Sequence, residues 1–244
     1  MTEATIKIDL RRHCWESLRA AGAARFPGVK GRIPNFVGAE AAARALAELP
    51  EWQEVRVLKC NPDSPQRPVR AAALRAGKTL YVPAPRLAGE FPFVELDPAD
   101  LPPEKLWHAS SIKGAFELGR PVRADQVRPL DLIVTGCVGV TPEGARLGKG
   151  GGYSDLEYGM LRELGLVSED IPIWTTVHSS QVLNNGAVPM TDHDISLDVV
   201  VTPERVIRCM RPFKRPAGVL WDHLDDAKIE SIPVLAARKS AREG

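Results

Sequence analysis

The residues best suited to chemistry fall in one stretch, RLGKGGGYSD at positions 146–155. Gly148, Gly150, Gly151 and Gly152 lie between a strand-like segment and a helical one. Backbone without Cβ atoms lets N–H groups converge on an anion, and a helix N-terminus adds a favourable dipole. Arg146 and Lys149 supply the positive charge that a phosphate requires. The stretch is neither a Walker loop nor a GxGxxG fingerprint, because no Lys-Ser/Thr pair closes it. A surface loop that needs glycine for its turns is the competing reading, and glycine density alone does not separate the two. Asp155, in the first helical turn, reads as an ordinary acid favouring the dipole or as an oxygen ligand for the magnesium of a bound nucleotide.

Lys7 and Arg11 are four residues apart and share one helix face. They form a solvated basic face, or they grip a triphosphate delivered from the glycine loop. Asp192, His193 and Asp194 suggest a metal site, but no second histidine stands at ligand spacing, so Asp194 reads as a turn or capping residue and His193 as structural. No nucleophile elbow is present.

These groups need elements to position them. Period-four apolar residues Ile6, Leu10, Cys14 and Leu18 predict a helix over 4–24, and residues 39–49 predict another, stopped by Pro50. Strands are expected at 55–59, 78–82, 130–135, 171–177 and 197–202, the last forming a hairpin with 205–209. Helices are expected at 66–76, 153–164 and 221–229. The Pro-rich section 84–127 reads as irregular apart from a short helix at 103–107, and the basic end as frayed. Alternating strands and helices predict an α/β fold with a mixed, mostly parallel sheet covered on both faces.

The chain has 244 residues, 44% hydrophobic and 26% charged, with 32 Lys and Arg against 31 Asp and Glu. That is long enough for a full core and too balanced to point to nucleic acid or a membrane surface as partner. No stretch is apolar enough for a transmembrane helix or a signal core. Four scattered cysteines without a CxxC pair read as reduced thiols, and the expectation is a cytoplasmic protein, monomeric or homodimeric.

Four stretches resemble the 5-formyltetrahydrofolate cyclo-ligase family: KIDLR at 7–11, AGKTLYVP at 76–83, DLIVTGCVGVTPEGARLGKGGGYSD at 131–155 and VPMTDHDISLDVVVT at 188–202. The resemblance implies a single three-layer α/β domain over 1–210, similar to the sugar-phosphate isomerase and CoA-transferase group, with 211–244 as an extension packed on it. It implies ATP and Mg2+ as cofactors and conversion of 5-formyltetrahydrofolate to 5,10-methenyltetrahydrofolate. Lys7 and Arg11 then hold ATP phosphates. Arg146, Lys149 and Gly148 to Gly152 form the phosphate loop, with Tyr153 beside them and Asp155 near magnesium. Ser154 stands where the family has a second Tyr, and Leu156 where a basic residue often follows the Asp. DSPQ at 63–66 replaces the family's Glu-Val-Asp-Thr. RIPNFVGAE at 32–40, NPDSPQRPVR at 61–70 and PAPRL at 83–87 resemble a divergent branch, the methenyltetrahydrofolate synthetase domain-containing proteins. Arg32, Asn35, Asn61, Asp63, Gln66 and Arg70, with Arg67 and Arg86, are therefore candidates for the pocket of a small second substrate, a reduced folate or related molecule. Alternatively, Arg67 and Arg70 lie on a solvated helix face and Asp63 caps that helix. Trp107, Phe36 and Tyr81 are candidates to stack on the substrate ring. The altered segment leaves two alternatives: the same chemistry on another amide or formyl compound, thiamine-related among them, or a non-catalytic nucleotide-binding paralogue.

Overall fold

In the computed structural model, which describes residues 2–210 and 212–243, strands and helices alternate along the chain. The strands are β1 (Val57–Cys60), β2 (Thr79–Pro83), β3 (Phe93–Leu96), β4 (Arg120–Val122), β5 (Leu132–Val134), β6 (Gly139–Val140), β7 (Arg146–Leu147), β8 (Ile173–Thr176), β9 (Val199–Val201) and β10 (Val206–Arg208). The helices are α1 (Glu3–Ala20), α2 (Ala39–Ala47), α3 (Pro50–Glu54), α4 (Arg67–Arg75), α5 (Leu106–Ala109), α6 (Ile112–Leu118), α7 (Tyr153–Glu163), α8 (Asp226–Glu230) and α9 (Pro233–Glu243).

Eight strands form one sheet in the order β10-β9-β8-β5-β1-β2-β3-β4, and β6 pairs with β7 in a separate hairpin. The five central strands, β9 to β2, are parallel, with Leu58 opposite Leu80 on one side and Leu132 on the other. The edge strands β10 and β4, and β3 beside β4, run antiparallel to their neighbours. Side chains alternate between two cores, as a strand's period of two requires. Leu58, Leu80, Leu132 and Val199 face α2 and α4, while Tyr81, Ile133, Ile173 and Val200 face α7 and the C-terminal helices. The result is the expected three layers.

Several sequence expectations change. Helix α1 stops at Ala20, four residues early, because Gly22 turns the chain in a left-handed conformation. Pro50 begins α3 as well as ending α2; it occupies the first-turn position where a missing N–H costs nothing. Section 84–127 is not irregular: it contains β3, α5, α6 and β4. The segment 221–229 divides into a 3-10 turn, Trp221–His223, and α8. Before the terminus the chain forms α9, whose first turn buries Leu235 completely. Arg211, the first residue of the extension as read from sequence, lies outside the described residues.

The extension is anchored by two charges, one buried and one half-buried. Arg215 donates to the carbonyls of Ser196 and Ile171 and to Asp198. On α7, Glu163 Oε1 accepts from the Val219 amide (3.1 Å) and Trp221 Nε1 (3.0 Å), and Oε2 accepts from Arg238 (2.7 Å). All four cysteines are free thiols, and burial pushes Cys14, Cys60 and Cys137 up to about 11. Among the described residues no helix is long and apolar enough to cross a membrane.

Candidate active site

From β1 the chain winds to β2 on one side and, later, through β5, β8 and β9 on the other. Strand order therefore reverses between β1 and β5, and in open α/β sheets ligand crevices form outside the carboxyl ends of strands at such a point. A cleft of about 950 Å³ lies there. Its floor is built from Asn61 and Asp63 after β1, Gly136 after β5, and Pro83 to Arg86 at the end of β2 and just beyond it. Gly136 is glycine for a steric reason: a Cβ would sit 2.9 Å from both Asp63 Oδ2 and Ile33 Cγ2.

The glycine loop forms one wall. Gly150 (φ 103°) and Gly152 (φ 67°) adopt backbone that other residues rarely accept. Gly152 is also the N-cap of α7 and supplies no side chain to cover the first amides of the helix, so that end presents N–H groups and a positive dipole. Opposite, α1 brings two cations in. Lys7 Nζ binds Asp194 Oδ2 at 2.6 Å, and Arg11 Nε donates to the Gly148 carbonyl at 2.8 Å. Buried Arg146 is gripped by both oxygens of Asp155, at 2.7 and 2.8 Å, and also donates to the Gly136 carbonyl. Lys149 Nζ lies 3.8 Å from Asp63 Oδ1.

Each of these carboxylates thus holds a cation at the cleft, and the electrostatics follow. Burial opposes the charge on Arg146, but the facing Asp155 outweighs it and raises the guanidinium above its ordinary value. Burial would raise Asp194; hydrogen bonds from Lys7 and Thr191 outweigh it and hold the carboxyl below the usual range. At the bottom, Lys59 and Glu157 form a buried ion pair, and burial raises the Glu157 carboxyl against the pull of that lysine. Lys59 also donates to Asn61 Oδ1 (2.8 Å), and Asn61 Nδ2 donates to Ser154 Oγ (2.8 Å).

Most sequence candidates converge here: Lys7, Arg11, Arg32, Asn61, Asp63, Arg86, Arg146, Gly148 to Gly152, Tyr153 and Asp155 all line the cleft. Others do not. Asn35 is turned into its own loop, donating to the Phe26 carbonyl and capping Phe36. Gln66 is buried against Thr176, and Arg70, buried rather than solvated, donates to the carbonyls of Asn61, Asp63 and Ser110. Arg70 therefore shapes the β1 turn from behind. Arg67 lies over the Trp107 ring at 4.1 Å, outside the cleft. Phe36 and Tyr81 are fully buried, so none of the three stacking candidates reaches the cavity. Asp63 does not cap the helix with its side chain. Asp194 is more than a turn residue, since it holds Lys7. Sequence reasoning missed Lys59, Glu157 and Lys228. Lys228 reaches back from α8 to the Gly151 carbonyl (3.1 Å) and sits 3.8 Å above the Tyr153 ring. Its only sequence signal was a basic residue in a predicted helix.

A doubly wound α/β protein with a cation-rich, glycine-walled cleft at its switch point is the class that fold and site define. The 5-formyltetrahydrofolate cyclo-ligase family matches residues 5–203, and the chain belongs to that family. It is 37% identical over 241 residues to a methenyltetrahydrofolate synthase domain-containing protein of Bos taurus, a match covering 97% of this chain and 63% of the relative. The mouse protein of the same description is 38% identical over 237 residues, covering 96% and 63%. The chain therefore spans under two thirds of the length of these relatives. A probable 5-formyltetrahydrofolate cyclo-ligase of Schizosaccharomyces pombe is 27% identical over 177 residues, covering 68% of this chain and 83% of the relative. The solution structure of Aquifex aeolicus 5,10-methenyltetrahydrofolate synthetase superposes with a TM-score of 0.53 at 23% identity, covering 90% of this chain and all of that one. The shared fold is the α/β architecture described above.

Proposed function

We propose that this chain is a Mg-ATP-dependent cyclo-ligase that converts 5-formyltetrahydrofolate to 5,10-methenyltetrahydrofolate, releasing ADP and phosphate. The observation that carries the reading is the convergence of Lys7, Arg11, Arg146 and Lys149 on the glycine-walled N-terminus of α7. Phosphoryl transfer asks a protein mainly for positioning and charge neutralisation, which such a set provides. In the proposed reaction the formyl oxygen attacks the γ-phosphorus and the bond to ADP breaks. The neighbouring folate amine then attacks the activated carbon, the five-membered ring closes, and the former formyl oxygen departs within inorganic phosphate, which takes up the proton the amine loses. Arg146, fixed by Asp155, and Lys149, held near Asp63, would neutralise the transferring phosphoryl group. Lys7 and Arg11 would orient the remaining phosphates from α1. For magnesium the cleft offers hard oxygen donors. Asp155 accepts three hydrogen bonds, from Arg146 twice and the Ile195 amide, of the roughly four its carboxylate can take, and Asp194 stands beside it in the lining. When bound, the ion supplies charge neutralisation between phosphates.

A second reading, the same transfer on a different formyl or amide compound, is favoured by the Asn61–Ser154 bond and the Lys59–Glu157 pair, which give the floor its own pattern of polar groups. The deciding experiment follows methenyl absorbance with pure protein, 5-formyltetrahydrofolate and Mg-ATP. ATP-dependent product that drops by about 10²-fold or more in Lys149→Ala supports the first reading. No product, with ATP still bound, moves the assignment to the second.

A further inference from the structure

The glycine loop has a second face. Behind it lies a pocket of about 310 Å³ lined by Leu156 of α7 and by Val219, Leu220 and Leu224 of the C-terminal extension, with His193 and His223 at its edge. Gly150, Gly151, Gly152, Asp155, His193 and Lys228 line both this pocket and the main cleft, so the two spaces meet across the loop. The pocket wall is mostly apolar, with Leu220 and Leu224 half-buried around it. The His193 and His223 rings stand edge to face, 5.8 Å apart. Its volume is at the small end of the roughly 300–1,000 Å³ typical of small-molecule sites. A heterocycle fits that space; a second polyanion does not suit its aliphatic wall.

We propose that this pocket receives the nucleobase, a purine, of the nucleotide whose phosphates lie on the cleft side of the loop. The proposal rests on the ATP reading above and adds to it a role for the extension, which lies beyond residue 203, where the family match ends. Flat heteroaromatic rings pack on aliphatic side chains, and imidazole N–H groups and the Lys228 ammonium are donors for ring nitrogens. Lys228 stands where base and phosphates divide, bonded to the Gly151 carbonyl and stacked on Tyr153. The relatives whose matches cover 97% and 96% of this chain run past residue 203, so the extension belongs to their shared sequence and is not a private tail.

The test separates base from phosphate. Binding of Mg-ATP and of Mg-tripolyphosphate is measured by calorimetry on the full chain, on Leu220→Trp, which fills the pocket, and on Leu224→Ser, which roughens its wall. Wild type is expected to bind ATP at least about tenfold more tightly than tripolyphosphate. Leu220→Trp is expected to bring ATP down to the tripolyphosphate affinity while changing the latter by no more than about twofold. If Leu220→Trp does not fold, Leu224→Ser decides in the same way, with a loss of about threefold or more for ATP alone. Unchanged ATP affinity in a folded variant, or equal losses for both compounds, overturns the proposal. Wild type binding tripolyphosphate as tightly as ATP overturns the base pocket and leaves the phosphate loop standing. Wild type binding neither compound overturns both.

Discussion

Lys59 is 1% exposed at the end of β1, and its ammonium meets Glu157, which is 4% exposed, beneath the cleft. A buried pair of this kind contributes little net stability, because desolvation offsets most of the attraction, but removing one partner leaves the other charge stranded. Glu157→Leu strands the lysine with Asn61 as its remaining polar contact, and we expect a loss of about 3–5 kcal/mol in urea unfolding. Lys59→Met with Glu157→Leu should recover most of that loss, since a well-packed apolar pair of similar volume is often neutral. The single change Lys59→Met behaves differently, because a carboxyl can neutralise itself by keeping its proton. Burial already raises Glu157, and without the lysine the folded-state value rises further above the unfolded one. Stability from a raised group is complete below the unfolded value, about 4.3, and is lost as pH climbs through the folded value. The stability difference between Lys59→Met and wild type should therefore widen from pH 5 to 8, and a flat difference would show that Lys59 does not set the protonation of Glu157.

Helix α7 joins site to extension: its first turn faces the cleft and its last turn holds the C-terminal segment through Glu163. At Gly159 the two backbones touch, since a Cβ there would lie 2.8 Å from the Gly218 carbonyl oxygen and 2.9 Å from its carbon. Backbone cannot swing aside as a side chain can, so Gly159→Ala must push the extension outward at about 1–3 kcal/mol. The expected outcome is rapid tryptic cleavage at Lys228 and Arg238 with residues up to 203 still protected. Gly218→Ala should loosen the extension too, because its Cβ would meet Glu163 Cγ at 2.8 Å and displace the carboxylate that holds Val219, Trp221 and Arg238. Cleavage unchanged in Gly159→Ala would mean that the contact does not fix the extension. The elements legible in sequence were those with a long local signal: α1 from its four-residue apolar period, α7 from the glycines that must precede it, and the central strands from runs such as Leu132–Val134. β3 and β4 were not legible. They have four and three residues, form the last two strands on one side of the sheet and stand among Pro92, Pro98 and Pro121, so their strand character comes from antiparallel pairing with β2 and with each other. Helix α9 was masked by its basic composition, and its partner Glu163 is some seventy residues away.

The same division between local and distant signals holds for the cleft as a whole. Loop residues declared themselves because the glycines are adjacent in sequence, and Lys7 and Arg11 because a helix places positions four apart together. Glu157, Lys59 and Lys228 declared nothing, since each acquires its place only when β1, α7 and α8 pack. Arg70 and Gln66 misled for the converse reason: polar types beside Asp63 suggested a pocket, yet they bond carbonyls and a threonine behind it. The net charge of +1 was equally uninformative about the site. Among the described residues, eight lysine and arginine side chains line the cleft against four carboxylates, so positive charge is concentrated there. Low-dielectric walls focus such a field and speed the encounter with a polyanion, an effect that weakens as the screening length falls from about 10 Å at 0.1 M salt to about 3 Å at 1 M. Lys30 is exposed at the rim and should act on encounter rather than on the bound state. Stopped-flow association of Mg-tripolyphosphate is accordingly expected to slow by about tenfold from 0.05 to 0.5 M salt. Lys30→Glu should lower the association rate and flatten its salt dependence while changing dissociation by less than about twofold. A wild-type association rate indifferent to salt would mean that the paired carboxylates cancel the cleft's field at a distance, and that the cations act only on contact.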